Sequence, residues 1–248
     1  MTLLYLFILY ALTLSTGLMY AGYRGRAIAP GETSSERPAR ILILGATGGT
    51  GRQLVAQALE RGYVVTAFVR NPAKLRIDHP QLKIIQGDVL DPAAVDAAMR
   101  DQQAVVSALG HKRFFGPTRI LSDGTRNVLR AMEAHGTQRL VCETSLGIGS
   151  SAGRMGLYYT LFTIPVILPF YFWDKARQER LIAASDRDWV IVRPGLLSNA
   201  ERRGQLRHGP AVGRFLWTVR IGRADVAAFM LDQLESDTYL RAAPGVAW

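Results

Sequence analysis

The chain has 248 residues, of which 48% are hydrophobic and 20% charged, with a single cysteine and a formal net charge of +10. This composition excludes a disordered or fibrous chain and fits one large α/β domain with a short appendage. One cysteine excludes an internal disulfide framework, and the basic balance admits nucleic acid, anionic lipid or an anionic small molecule as partner.

The first element is an uncharged run of 21 residues, Leu3 to Tyr23. As a helix it would rise about 31 Å, close to the hydrocarbon thickness of a bilayer. No Lys or Arg precedes it, and Arg24 and Arg26 follow. A secretory signal has a positive start and a shorter apolar region, so a single-pass membrane anchor is expected, with the following domain cytoplasmic. Tyr20 and Tyr23 stand where an interfacial belt would lie. Residues 1–26 are therefore read as the anchor. Residues 27–39, with Pro30, Gly31, Ser34, Ser35 and Pro38, are read as a linker, and residues 40–248 as the domain.

Within the domain, short apolar runs alternate with amphipathic ones. Ile41–Leu44, Val64–Val69, Lys83–Ile85, Ala104–Ala108, Leu140–Cys142 and Trp189–Val192 read as buried strands. Arg52–Arg61, Ala93–Arg100, Leu121–His135, Ala176–Ala184 and Asp225–Leu234 read as helices. This is the rhythm of an α/β fold, a Rossmann-type doubly wound parallel sheet preceded by one transmembrane helix. Cys142, inside an apolar run, is expected to be a core thiol.

After the first strand the chain reads Gly45-Ala46-Thr47-Gly48-Gly49-Thr50-Gly51 and enters a helix. Glycine reaches the torsions that the turn needs. It also leaves the main chain bare for a pyrophosphate, which the free amides and dipole of the helix start attract. Strand, glycine turn and helix in this order point to a dinucleotide site built on Gly45, Thr47, Gly48, Gly49, Thr50 and Gly51. The second strand ends in Arg70 rather than an acid. An acid would hold the ribose hydroxyl of NAD, whereas arginine suits a 2′-phosphate, so NADP(H) is expected ahead of NAD(H).

These residues, together with Gly87-Asp88-Val89-Leu90-Asp91, Asp174-Lys175-x-x-Gln178-Glu179, Asp188-Trp189-Val190-Ile191-Val192-Arg193-Pro194-Gly195 and Arg223-Ala224-Asp225-Val226-Ala227, make the chain resemble the atypical short-chain dehydrogenase/reductase superfamily. The nearest group is the NAD(P)H-binding, NmrA-like and flavin-reductase-like proteins, and the resemblance covers about Arg40 to Leu234. It implies that Asp88 and Val89 flank the adenine, and that Ala108, Leu109 and Gly110 run beneath the nicotinamide ribose. It places Thr144 and Ser145 before the nicotinamide and Pro194 and Gly195 at its carboxamide. Asp225 would be a structural helix residue or a local cap. The superfamily's usual proton donor is a tyrosine four residues before a lysine, with a serine upstream, and Tyr171, Lys175 and Ser145 supply that set. Residues four apart share a helix face, and Lys175 is also expected at the cofactor ribose. His111 follows Gly110 and ranks below these. No cluster has metal-ligand spacing, so no metal is expected.

Met155 to Trp173 is a second uncharged run, of 19 residues. It lies between two strands of one sheet and contains Pro165 and Pro169, so a crossing is not expected. It reads as a hydrophobic flap over an apolar substrate or against the membrane, with core packing or a homodimer contact as the alternative. Arg202, Arg203, Arg207, Arg214, Arg220 and Arg223 follow the last of the six strands and read either as a face toward anionic headgroups or as a solvated loop. The expectation is a membrane-anchored NADPH-dependent oxidoreductase acting on an apolar small molecule: a quinone, a flavin or a lipid-like carbonyl. The alternative is a non-catalytic NADP(H)-binding redox sensor or scaffold that regulates a membrane protein partner. No nucleic-acid motif is present, and nucleic acid is not expected as a partner.

Overall fold

A computed structural model describes residues 2–25 and 37–248. The elements run α1 Thr2–Ala21, β1 Arg40–Leu44, α2 Gly49–Glu60, β2 Val64–Val69, β3 Leu82–Gln86, α3 Pro92–Met99, β4 Ala104–Ser107, α4 Ile120–Ala134 and β5 Arg139–Glu143. A π-helical segment, Tyr159–Ile167, then leads into α5 Pro169–Ala183 and β6 Asp188–Pro194. The last part holds β7 Leu196–Ser198, β8 Arg207–Gly209, β9 Arg220–Gly222, α6 Arg223–Asp232 and β10 Gly245–Ala247.

The main sheet has the order β3-β2-β1-β4-β5-β6-β10-β8, and β7 pairs with β9 apart from it. The strands from β3 through β10 run parallel, and β8 closes the edge antiparallel to β10. This is the doubly wound sheet read from the sequence. Strands buried on both faces need no polar alternation, which is why β1 and β4 are continuous apolar runs. Ile41, Ile43, Val65 and Val106 face a core closed by Leu54, Val55, Val226 and Met230 from α2 and α6. Leu42, Leu44, Val105 and Cys142 face the opposite core, with Val95, Val128 and Ile182 from α3, α4 and α5. Cys142 is buried there as expected, and that burial pushes its thiol up to about 12.

Helix starts follow from local chemistry. Asp91 accepts hydrogen bonds from the amides of Ala93 (2.9 Å) and Ala94, with Pro92 at the first helical position of α3. α4 has no side-chain cap of its own. Its start is held from α5, where the buried Asp174 accepts from the amides of Leu121 (2.9 Å) and Ser122 (3.1 Å) and from the Ser122 hydroxyl (2.6 Å). α5 begins at Pro169, seven residues before the expected Ala176, because proline is favoured at a helix's first position. Pro165 sits inside the π-helical segment, so the second apolar run is not one regular helix.

α1 is long and apolar enough to cross a membrane, by length and composition. It is not a detached tether. Leu18 and Ala21 pack with Leu146, Ile148 and Phe172, and Gly17 faces the Trp173 ring. The Tyr10 hydroxyl donates to the Pro165 carbonyl (3.0 Å). At its exit, the Tyr23 carbonyl accepts from Arg193 Nη2 (2.9 Å) and the Tyr23 amide donates to Glu179 Oε2 (3.3 Å). The expected linker, 27–39, lies mainly outside the described residues.

Candidate functional site

The glycine turn is shaped by close backbone contact. Gly45 has φ of +76° and leans on β4, where a Cβ added to it would stand 2.4 Å from the Ala108 carbonyl oxygen. A Cβ on Gly51 would stand 2.0 Å from the Gly45 carbonyl oxygen, so only glycine lets α2 start so near the turn. Gly48 and Gly49 are exposed, Thr47 is half-buried and Thr50 is buried. The α2 N-cap, Gly48, offers no side-chain acceptor. The first amides of the helix therefore point outward without a protein cap, the arrangement that receives phosphate oxygens. These residues fit a dinucleotide's pyrophosphate.

Arg70 is exposed at the end of β2. Arg52, directly after Gly51, reaches the same corner: its Nη2 donates to the Lys74 carbonyl (3.0 Å) in the turn that follows Arg70 and Asn71. Asp88 is exposed and its side chain accepts from the Leu90 amide (3.0 Å). Val89 is buried and turned toward α4, where it blocks any side chain at Gly124. Ala108 and Leu109 are half-buried and Gly110 is exposed at the exit of β4.

Tyr171 reaches this exit from α5. Its hydroxyl stands 3.5 Å from the position of a Cβ on Gly110. Rings of His111, Phe114 and Phe172 surround it edge-on. Lys175, one turn on, is buried with Nζ 5.2 Å from the Tyr171 ring centroid. Burial works against the Lys175 ammonium, but the combined pull of Tyr171, Glu143, Cys142 and Glu179 outweighs it and raises its pKa. Burial raises the Glu143 carboxyl, opposed by Lys175, by the Thr50 hydroxyl that donates to it (3.1 Å) and by Arg223. Ser145 is half-buried at the exit of β5. The structure thus gathers Tyr171 and Lys175 on one face of α5, beside the exit of β4.

Three residues that the resemblance assigns to the cofactor are committed elsewhere. Thr144 is buried and its hydroxyl donates to Glu179 Oε1 (2.8 Å), not outward. Pro194 has no amide and its carbonyl accepts from the Leu146 amide (3.1 Å). The Gly195 amide donates to the Val246 carbonyl (3.0 Å), while Val219 covers its α-carbon. Of these groups β10 takes the Gly195 amide, and that strand was not legible in the sequence. Asp225 is not a cap of α6, whose N-cap is Gly222. It accepts from the amides of Arg203 and Gly204 and from Trp248 Nε1 (2.9 Å), fixing the loop after β7. His111 is held by Thr118 (3.0 Å), and its pKa is lowered chiefly by burial. Among the described residues no His, Cys, Asp or Glu cluster could hold a metal.

Sequence reasoning missed Glu143 and Arg52, and it set Arg223 among the basic residues after the last strand rather than at the glycine turn. Arg223 lies over the glycine turn, so that a Cβ on Gly49 would meet its Cδ at 2.5 Å, and its Nη1 donates to Asn199 Oδ1 (2.7 Å). Only the position of Arg52 directly behind the last glycine was a readable signal.

A family model described as NAD(P)H-binding matches residues 45–237. An uncharacterized chloroplastic protein of Arabidopsis thaliana is 30% identical over 180 residues, covering 67% of this chain and 62% of its own length. The chain thus spans under two thirds of that relative. A 2-alkyl-3-oxoalkanoate reductase of Stenotrophomonas maltophilia is 27% identical, over 84% of this chain and 67% of its own length. Among solved structures, a short-chain dehydrogenase/reductase of Veillonella parvula in complex with NADP superposes with a TM-score of 0.70 at 19% identity, covering 85% of this chain and 95% of that one.

Proposed function

The chain belongs to the NAD(P)H-binding family, and from that premise we propose that it is a membrane-anchored NADPH-dependent reductase of an apolar acceptor. The observation that carries this reading is the Tyr171 hydroxyl beside Gly110, with Lys175 enclosed one helical turn behind it. The outward amides after Gly48 would hold the pyrophosphate, and Arg70 with Arg52 the 2′-phosphate. The NADP of the Veillonella structure supports the cofactor, and the Stenotrophomonas relative, a reductase, supports the reaction class.

Bound NADPH would supply a hydride to the acceptor. For a carbonyl acceptor, Tyr171 Oη gives its proton to the oxygen as the hydride reaches the carbon, and the Lys175 ammonium favours the phenolate left behind. The rings of His111, Phe114 and Phe172 pack edge-on against the Tyr171 ring and fix its position. A quinone or flavin in the same place would need less from Tyr171. The acceptor's apolar character is supported by the uncharged segment from Met155 to Trp173, which leads directly into Tyr171 and Lys175. Membrane anchoring is supported by the length and apolarity of α1, and a cytoplasmic domain by Arg24 and Arg26 after it.

The test is NADPH consumption by the full chain with quinone, flavin and lipid-like carbonyl acceptors, repeated with Tyr171→Phe. Turnover of a carbonyl that falls about 100-fold or more in the variant supports proton donation. Turnover only of quinone or flavin, unchanged in the variant, removes that role from Tyr171. Tight NADPH binding without turnover would favour the second reading, a non-catalytic redox sensor or scaffold. The enclosure of Tyr171 by three rings, which packing alone would explain, favours it.

A further inference from the structure

Beyond the glycine turn, four arginines converge on one cavity. It has a volume of about 650 Å³ and is lined by Arg203, Arg207, Arg214 and Arg220, with Trp217 and Trp248 as aromatic walls. No Asp or Glu side chain lines it, and among the described residues none of the four arginines is paired with an Asp or Glu side chain. Arg203 lies over the Trp248 ring at 3.8 Å and Arg207 donates to the Trp248 carbonyl (2.9 Å). The guanidinium groups of Arg214 and Arg220 make no hydrogen bond to any described residue. Like charges repel, so four arginines around one space, two of them without a described partner, favour an anion there.

The rim of this cavity is apolar. Phe215, Leu216 and Trp217 are 51%, 65% and 74% exposed. Their loop is joined to the second apolar run, since the Gly156 amide donates to the Arg214 carbonyl (3.0 Å) and Met155 bridges Arg214. That run exposes Leu157, Tyr158 and Phe162, and it lies along α1, where the Ser15 hydroxyl donates to the Thr160 carbonyl (3.4 Å). α1 itself exposes Leu3, Leu4, Leu6, Ile8 and Leu9. Cationic cavity, apolar loop, π-helical segment and membrane-length helix therefore form one continuous surface. The arginines stand where headgroups would meet a domain whose apolar side is buried in a bilayer.

We infer that this cavity binds the phosphate headgroup of an anionic membrane lipid, whose acyl chains lie along residues 215–217 and 157–162. The site holds the domain flat on the bilayer instead of leaving it suspended from α1. It is separate from the glycine turn and needs no turnover.

The test uses the full chain in dodecyl maltoside micelles, following its thermal unfolding midpoint. The added probes are dioctanoyl phosphatidylglycerol, dioctanoyl phosphatidylcholine and inorganic phosphate. A saturable rise is expected with phosphatidylglycerol alone, weakened at least tenfold in apparent Kd by Arg214→Gln with Arg220→Gln. The charge-matched control Arg100→Gln with Arg130→Gln, on exposed positions of α3's end and α4, should titrate as the parent. An equal rise with phosphatidylcholine, an equal rise with inorganic phosphate, or a control as weak as the cavity variant overturns the assignment. If the cavity variant does not fold, the parent carries the test. Its phosphatidylglycerol affinity must weaken at least tenfold on going to 0.5 M salt, about the concentration at which exposed charges are strongly screened, and salt independence overturns the proposal. NADPH titration of the same samples reads the glycine turn separately, so failure of either site leaves the other measurable.

Discussion

Gly48 and Gly51 look alike in the sequence but predict opposite consequences when replaced by alanine. At Gly51 the new methyl group would stand 2.0 Å from the Gly45 oxygen, 2.7 Å from its carbon and 2.8 Å from Ala46 Cα. All three are backbone atoms, so no side-chain rotation relieves the overlap, and α2 must move from β1. Forced backbone shifts of this kind cost about 1–3 kcal/mol. Each kcal/mol lowers the midpoint of a domain this size by about 2–4 °C, which places the Gly51→Ala loss at roughly 2–12 °C. At Gly48, φ is −73° and the nearest contact would be 3.2 Å, so alanine fits with a small adjustment. Its methyl group would instead project into the exposed surface where the pyrophosphate is expected. Gly48→Ala should keep the midpoint within about 2 °C of the parent, since a compatible surface position tolerates substitution, while weakening NADPH binding about tenfold or more. The assays are differential scanning fluorimetry without cofactor and fluorescence titration with NADPH. Full NADPH affinity in Gly48→Ala, or an unchanged midpoint in Gly51→Ala, would refute the account of the turn.

The buried pair of Arg193 and Glu179, at 2.6 Å, also holds the Tyr23 backbone at the exit of α1. Arg193→Leu leaves a buried carboxylate unpaired and should cost about 3–5 kcal/mol, measured by chemical denaturation in detergent. Removing residues 1–26 should also lower the stability of the domain, since the Tyr23 amide and carbonyl that bond Glu179 and Arg193 go with them. Arg70→Ala and Arg52→Ala should each weaken NADPH binding more than NADH binding, by about 1–2 kcal/mol for loss of a charged hydrogen bond; equal losses for the two cofactors would remove the phosphate-specific role. The Tyr63 phenol is pushed up to about 12, first by burial and then by its bond to Glu235. Its contribution is therefore complete below the unfolded value near 10 and falls as pH rises toward 12. Tyr63→Phe should flatten that fall in a pH series of unfolding midpoints.

The alternation of apolar and amphipathic runs was enough to place β1 to β6 and the helices between them, because parallel strands buried on both faces leave contiguous Val, Ile and Leu in the chain. The glycine spacing was equally legible, since its constraint is local: a turn at positive φ, then a helix that starts against it. Tyr171 and Lys175 could be paired from sequence because four residues make one helical turn.

Other features were decided only by packing. β7 to β10 are three residues each, too short for any periodicity, yet β10 takes the amide of Gly195. Asp174 gives no local sign that it caps α4, whose start is 53 residues away from it in the chain. Thr144 turns inward because Glu179 is there to accept its hydrogen bond. Sequence determined which segments form strands, helices and the bare turn, since those depend on neighbours along the chain. The tertiary structure decided which polar groups are free to meet a ligand and which are already used, since hydrogen bonds and charges pair through space between residues far apart in the chain.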